Sequence, residues 1–300
     1  MSPTTTKTTI DGRELTVSNL DKVLFPQTGF TKGQLIDYYV RIADAILPHL
    51  RQRPLTMKRF PDGVDAKFFF EKHIPSHAPK WVQSIDVPST DGKEEIPYVV
   101  VNDMATLAWA ANLGTIELHV PLWHAGPRRK VPANPDYMVF DLDPGPGTTI
   151  VECCKVAEWI AEELADAGTE SFAKTSGRKG LQLYTATRPR TTWDSLRAHA
   201  LEIAQKLESD HRDLVVSNMR RSLRENRVLI DWSQNHVAKT TVGVYSVRAM
   251  PEPTVSTPVT HDEVRRCAKK GDPSLLRFTT DEVLRRVSKQ GDLFAPLAPH

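Results

Sequence analysis

The sequence predicts an α/β (α+β) fold, with strands and helices in one compact unit and an N-terminal α-rich lobe. Three observations predict it. Strand-like and helix-like segments alternate along the chain, no internal repeat or low-complexity linker interrupts them, and the 300 residues are 40% hydrophobic and 25% charged, as in ordinary globular chains.

The elements follow in order. After a polar leader, TVSNLDKVLFPQTGFTKG reads as a short strand and a loop. Thr31 is placed to cap a helix over 31–50, where Leu35, Tyr38, Tyr39, Ile42, Ile46 and Leu50 keep helical spacing. A KRFPDG turn, FFFEKH and an exposed segment through residue 95 lead to the strand IPYVVVND. MATLAWAANLG reads as a helix, TIELHVPLW alternates as a strand, and YMVFDLD is a further strand. The helix TTIVECCKVAEWIAEELADAG, the loop KTSGRKG and the strand LQLYTAT come next. A helix over about 192–210, the strands RVLIDWS and TTVGVYSVRA, and helices near 260–270 and 280–290 complete the chain.

Several function classes are disfavoured. No run of eighteen apolar residues is present, and MSPTTTKTTI lacks the apolar segment of a secretory signal, so no membrane role and a cytoplasmic location are expected. Cys153, Cys154 and Cys267 have no CxxC spacing, which indicates neither a disulfide framework nor a zinc site; buried helix positions are expected. The net charge of +2 is too small to argue for nucleic acid, although the first sixty residues hold nine Lys and Arg against five Asp and Glu.

The chemistry concentrates in VFDLDPGPG. Strand residues two apart share a face, so Asp141 and Asp143 present their carboxylates together. Two like charges held side by side repel, and a cation relieves them. The Pro-Gly-Pro-Gly that follows turns the chain sharply and leaves the acids uncovered. Taken alone, such a DxD is more often a strand end and a turn.

A third acid, Asp231 in RVLIDWSQN, interrupts an apolar run, which requires pairing or a metal. An arginine among Arg220, Arg221, Arg224 and Arg227 is an equal alternative partner. Three carboxylates from two strands form a hard oxygen site suited to Mg²⁺ or Mn²⁺.

KTSGRKG supplies Ser176, glycines and the cations Lys174, Arg178 and Lys179, the elements of a phosphate loop. It lacks the Walker order GxxxxGK[ST], and alone a basic glycine turn is commonly only a turn. His119 in IELHV lies opposite Ile116, Leu118 and Val120, alongside Glu117; a lone strand histidine is more often structural. Lys239 and Arg248 bring cations near Asp231 if their strands pair; a solvated sheet edge is the alternative. In KRFPDGVDAKFFFEKH, Lys58, Arg59 and Lys67 accompany Phe68, Phe69 and Phe70, at least one of which faces away from the core in an alternating strand. An exposed aromatic amid cations is a platform for stacking bases, and a doubly buried strand is the alternative.

Together these motifs resemble the polymerase domain of bacterial DNA ligase D, in the archaeo-eukaryotic primase superfamily. The resemblance runs in order through SNLDKVLFP, TK, KRFP, FFEK, IELHVPLW, VFDLDPG, TSGRKGLQLY, IDWSQN, KTT, YSVR and QGDLF. It implies a mixed-sheet primase-polymerase core with flanking helices: a single domain over 1–300, with a DNA-end-binding portion over 1–95 and a catalytic core over 96–300. It also implies residue roles. Asp141 and Asp143 would bind two Mn²⁺ or Mg²⁺ ions, with Asp231 as the third, catalytic carboxylate. Ser176, Lys179, Lys239 and Arg248 would contact the triphosphate, with His119 beside its sugar and phosphates and Lys58 near the nucleotide. Lys22 and Lys32 would grip a 5′-phosphate at a gap or break. Phe69 and Phe70 would stack on the template, with Arg224 in a mobile loop nearby.

The implied activity is template-directed nucleotidyl transfer from NTPs or dNTPs to a primer 3′-hydroxyl. Ribonucleotides and Mn²⁺ would be preferred, and a monomer would work at DNA gaps and broken ends in non-homologous end joining with bacterial Ku and a DNA ligase. One position departs from the family pattern SGxKGLH: Gln182 stands where a histidine is usual, which puts priming most in question because glutamine cannot become cationic. No ligase KxDG motif or nuclease segment follows Asp292, so a stand-alone relative or an excised domain is expected. Two rival readings differ in outcome. A DxD glycosyltransferase would use nucleotide-sugars and ignore primer-template DNA, and a non-catalytic DNA-end-binding module would have no need of three converging acids.

Overall fold

The computed structural model describes residues 4–89, 92–125 and 134–298. The polar leader forms β1 (Thr5–Ile10), which pairs as a hairpin with β2 (Arg13–Ser18). Its turn residues Asp11 and Gly12 have φ of 50° and 72°, the left-handed pair that Asp-Gly supplies most readily. β3 (Val23–Phe25) and β4 (Phe30–Thr31) pair next. The expected 31–50 helix starts at a capping box between Thr31 and Gln34 but divides in two, α1 (Lys32–Arg41) and α2 (Ala43–Leu50). The division falls at Ile42, at φ −90° and ψ 0°, where the amides of Ala45 and Ile46 both converge on its carbonyl.

β5 (Thr56–Arg59), β6 (Phe69–Glu71), β7 (Gln83–Pro88) and β8 (Glu95–Val100) follow. The stretch expected to be an exposed segment through residue 95 therefore contains a strand, β7, paired along its length with β8. Asp103 caps α3 (Met104–Asn112), which leads into β9 (Thr115–Pro121) and β10 (Tyr137–Pro144). α4 (Ile150–Asp166) opens on a capping box of Thr149 and Glu152. After it come β11 (Phe172–Thr175), β12 (Leu181–Ala186), α5 (Trp193–Asp210), β13 (Val215–Val216) and β14 (Val228–Asp231).

TTVGVYSVRA is not one strand. It splits into β15 (Thr240–Val242) and β16 (Val247–Ala249), because Tyr245 takes a left-handed φ of 62° between them. β17 (Pro253–Val255), β18 (Pro258–Val259), α6 (His261–Lys270) and α7 (Thr280–Gln290) close the chain.

Two sheets position the site. A six-stranded sheet runs β13-β14-β10-β12-β11-β18, antiparallel except for β13 with β14; a four-stranded antiparallel sheet runs β15-β9-β5-β6. α4 covers the first sheet, burying Val151, Cys154 and Ile160 with Phe140, Leu142 and Leu183. All three cysteines are free and buried, as expected.

A second apolar cluster joins Leu35, Tyr38 and Tyr39 of α1 to Met57, Leu118, Tyr245 and Phe294, and so unites the N-terminal portion with the rest. The buried tyrosines have fixed partners: Tyr38 donates to the Tyr245 carbonyl at 2.8 Å, and Tyr39 to that of Ile116 at 2.7 Å. An unmet buried hydroxyl would cost about 1–3 kcal/mol, so these bonds fix α1 against β9 through Tyr39 and against the Tyr245 turn between residues 242 and 247 through Tyr38. Among the described residues no helix is long and apolar enough to cross a membrane.

Candidate active site

β10 places Asp141 at the centre of the first sheet. Across one edge it faces Asp231 of β14 in register, and across the other Gln182 of β12. Asp143, two residues on, shares its face. The Pro-Gly-Pro-Gly turn is needed for close approach: a Cβ on Gly145 would stand 1.8 Å from the Arg224 carbonyl oxygen. Only glycine lets the turn pack against the Arg224 and Arg227 carbonyls that follow the 3-10 helix Arg221–Leu223, and the Arg224 cation lies close enough to act on Asp143.

Burial, then the Asp143 carboxylate, pushes the Asp141 carboxyl above the aspartate range; burial and Asp231 do the same to Asp143. Asp231 sits differently. One of its oxygens accepts from the Ser233 amide at 2.9 Å and hydroxyl at 2.6 Å, and the other from Gln234 Nε2 at 3.0 Å. The alternative partner, a neighbouring arginine, is not what holds it. Among the described residues no three His, Cys, Asp or Glu side chains stand close enough to enclose an ion. The donor chemistry nonetheless fits a hard divalent cation: Asp141 and Asp143 offer carboxylate oxygens whose mutual repulsion a cation relieves.

A cleft of about 480 Å³ opens over these acids, lined by His119, Asp141, Asp143, Ser176, Lys179 and Arg248 among others. The loop between β11 and β12 forms its cationic wall. Ser176 Oγ accepts from the amides of Arg178 and Gly180 at 3.2 and 3.0 Å, curling the loop. Gly177, at φ 70°, and Gly180, where a Cβ would lie 2.2 Å from the Leu142 carbonyl oxygen, permit that curl against β10. Arg248 Nη1 donates to the Ser176 carbonyl at 2.9 Å, while Lys179 is exposed at the rim. Lys174 is not a loop cation as expected: it belongs to β11 and is fully buried.

Below the cleft lies a residue that the sequence reading noted only as a neighbour, Glu117. It is completely buried, accepts from the Ala249 amide at 3.1 Å and from His119 Nε2 at 2.9 Å, and lies 3.4 Å from Lys58 Nζ and 3.5 Å from Arg248 Nε. Burial alone would raise its carboxyl; His119, Arg248 and Lys58 outweigh that and hold it at about 2. Burial lowers the pKa of His119, Lys58 and Arg248. The one sequence signal for Glu117 was an acid two residues before a histidine in an otherwise apolar strand.

Lys239 does reach the third acid, through Ser233: its Nζ donates to Ser233 Oγ at 2.6 Å. β15 pairs with β9 and β16 with β17, however, and β16 reaches β9 through the Ala249 amide on Glu117, so Arg248 of β16 lies over Glu117 instead of beside Asp231.

Phe68, Phe69 and Phe70 are all exposed, at 50%, 44% and 56%, which removes the doubly buried alternative. The register of β6 on β5 sets Phe70 opposite Lys58 and Phe69 opposite Arg59. Alternation sends them to different faces. Phe70 lies 6.1 Å from the His119 ring, at the cleft, whereas Phe69 stacks with Arg59 at 5.0 Å. Arg59 belongs with Lys22 and Lys32: burial first, then Lys22 and Arg59, lowers the Lys32 amine to about 8. Lys22 pairs with Asp62 at 2.6 Å, and Lys32 donates to Ser18 at 3.2 Å. The residues called from the sequence thus fall into two groups, a cleft group and a separate cationic group with Phe69 at its edge.

This combination of paired strand-end acids, basic glycine loop and mixed sheet defines a class of nucleotide-handling domain, and the comparisons specify it. Residues 31–294 match the family model for the LigD primase-polymerase domain; the chain belongs to that family. It is 40% identical over 281 residues to the multifunctional non-homologous end joining protein LigD of Mycolicibacterium smegmatis, covering 94% of this chain and 36% of that protein. To the bifunctional non-homologous end joining protein LigD of Bacillus subtilis it is 32% identical, over 93% of this chain and 43% of that one. The chain therefore spans less than half the length of these relatives. The solved polymerase domain of Mycobacterium tuberculosis ligase D, in complex with DNA, superposes with a TM-score of 0.86 at 39% identity, covering 95% of this chain and 99% of that one.

Proposed function

We propose that the chain is a template-directed nucleotidyltransferase that adds nucleotides, ribonucleotides by preference, to primer 3′-hydroxyls at DNA gaps and double-strand breaks, in a pathway of the non-homologous end joining type. The observation that carries the proposal is the cleft itself, with Asp141 and Asp143 on one wall and Ser176, Lys179 and Arg248 on the other. Those walls suit a triphosphate lying between metal-binding acids and phosphate-binding cations.

Asp141 and Asp143 would hold the two Mn²⁺ or Mg²⁺ ions, joined by Asp231 on release of a Ser233 or Gln234 bond. Bound there, such ions activate the primer hydroxyl and neutralise charge on the departing pyrophosphate. Lys179 and Ser176 would take phosphate oxygens, Arg248 would brace the loop that carries them, and Lys239 would add charge from the Asp231 side. His119, held by Glu117, and Lys58 would face the sugar end. Phe70, at the cleft mouth, would stack on a base, and Arg224 would meet the template strand.

Lys22 and Lys32, with Arg59, would take the 5′-phosphate across the gap, with Phe69 alongside. This extends the division expected from the sequence, residues 1–95 engaging the DNA end and 96–300 carrying the chemistry, with Lys58 crossing from the first portion by β5–β9 pairing. A Ku protein and a DNA ligase are the proposed partners in repair. The test is extension of labelled gapped DNA with each NTP and dNTP under Mn²⁺ or Mg²⁺. Template-matched addition favouring NTPs is expected, and transfer from a nucleotide-sugar with no primer extension would overturn the proposal.

A further inference from the structure

Lys174 is fully buried, and burial lowers its amine to about 7, yet the groups around its Nζ fit the protonated form. Its Nζ contacts Gln182 Oε1 at 2.5 Å, Ser256 Oγ at 2.8 Å and the Val242 carbonyl at 3.1 Å. The Ser256 hydroxyl donates onward to the Thr175 carbonyl at 2.8 Å, so toward Lys174 it accepts. The Val242 carbonyl can only accept. An ammonium has three donors, and three acceptors meet them. Gln182 must then turn its carbonyl oxygen to Lys174, which leaves its amide nitrogen facing β10, where Nε2 donates to Asp141 Oδ1 at 2.9 Å.

We propose that Lys174 and Gln182 are positioning residues for Asp141: the buried ammonium fixes the polarity of the Gln182 amide, and the amide fixes which Asp141 oxygen is left free for a divalent cation. The inference rests on the reading of Asp141 as a metal ligand. A glutamine can flip its amide and a carboxylate can rotate; the Tyr184 hydroxyl, 3.5 Å from Gln182 Oε1, can donate or accept, and so can a protonated Asp141 carboxyl, which leaves Lys174 as the donor-only neighbour on this face. Lys174 supplies that decision from β11 and Gln182 transmits it across β12 to β10, a path set by the strand order. A histidine at position 182 fits the same scheme, one ring nitrogen accepting from Lys174 and the other donating to Asp141. The departure from the family pattern at Gln182 thus keeps the direction of the hydrogen bonds while removing a titratable group.

The experiment is titration of the full chain with Mn²⁺ alone, reading free Mn²⁺ by electron paramagnetic resonance, for wild type, Lys174→Met, Gln182→Leu, the double variant, Gln182→His and Asp141→Ala. Outer-shell partners of metal ligands are typically worth ten- to a hundredfold in affinity. Lys174→Met and Gln182→Leu are each expected to weaken binding about tenfold, with the double variant no weaker than Gln182→Leu, because the two act through one contact. Gln182→His is expected to stay within about threefold of wild type.

Coulomb repulsion alone predicts the opposite sign for Lys174→Met, since removing a nearby cation favours Mn²⁺. Tighter binding by Lys174→Met, or losses that multiply in the double variant, would overturn the proposal. Should Lys174→Met fail to fold by circular dichroism, the Gln182 pair decides: wild-type affinity in Gln182→Leu overturns it. Unchanged Mn²⁺ affinity in Asp141→Ala would instead overturn the metal-site reading on which it rests.

Discussion

Asp141 and Asp231 are direct partners across the antiparallel β10–β14 pair, two carboxylates set opposite each other at the centre of a sheet. Like charges in that relation destabilise a sheet, and Asp143 on the same face of β10 adds a third. Their cost falls on the metal-free protein, where Asp141 and Asp143 hold protons more tightly than ordinary aspartates.

A carboxyl with a raised folded-state pKa binds more protons folded than unfolded, so its stabilisation is complete below the unfolded value of 3.8 and is lost as pH rises through the folded value. Thermal melts of the metal-free protein should therefore lose stability from this site as pH rises from acid toward neutrality. Asp141→Asn should flatten that slope and raise the neutral-pH midpoint, and Mn²⁺ should raise the midpoint of wild type only. A steeper slope in Asp141→Asn would contradict the prediction.

Glu117 gives the opposite sign. Held at about 2, it contributes stability that is present above its unfolded pKa of 4.5 and lost as pH falls toward 2. Glu117→Gln removes the anchor of His119, Lys58 and Arg248 together, and should cost about 3 kcal/mol at pH 7, the scale of breaking a buried pair. In steady-state kinetics it should raise the nucleotide KM about tenfold. Unchanged stability and KM would show that Glu117 anchors nothing.

For the 5′-phosphate group, Lys22→Met and Lys32→Met should each reduce the preference for a phosphorylated over a hydroxyl gap end about tenfold, the scale of one charge-assisted bond. Because Lys32 is held near 8, wild-type preference should fall as pH rises from 7 to 9. Anisotropy titrations with the two DNA ends measure both effects. Equal affinities for the two ends in all three proteins would refute the assignment.

The opposite faces of Phe69 and Phe70 separate their roles. Phe70→Ala should weaken template-dependent extension by about 1–3 kcal/mol, the range for one base stack. Phe69→Ala should act on binding of the gapped end and spare single-nucleotide kcat. Identical kinetic profiles would show that the alternation of β6 has no functional consequence.

Much of this was legible in the sequence. The DxD pair, the SGRKG loop and the exposed phenylalanines carry local signals: period-two spacing, glycine at tight approaches and apolar rings among cations. The hairpin at Asp11-Gly12 was equally local and went unread, because its flanking residues are polar. What the sequence could not show is long-range. Glu117 becomes an anchor only when β5 and β16 meet β9, and Lys174 reads as a loop cation until β11 pairs with β12 and buries it. The break between β15 and β16 depends on a left-handed φ at Tyr245 that no propensity favours.

The most direct test of the central claim is single-nucleotide extension on gapped DNA with Mn²⁺, comparing wild type with Asp141→Ala and Asp143→Ala while DNA binding is followed separately. Both variants should bind the DNA as wild type does and lose extension by about a thousandfold, roughly 4 kcal/mol of transition-state stabilisation. Extension near the wild-type rate by either variant would contradict the account.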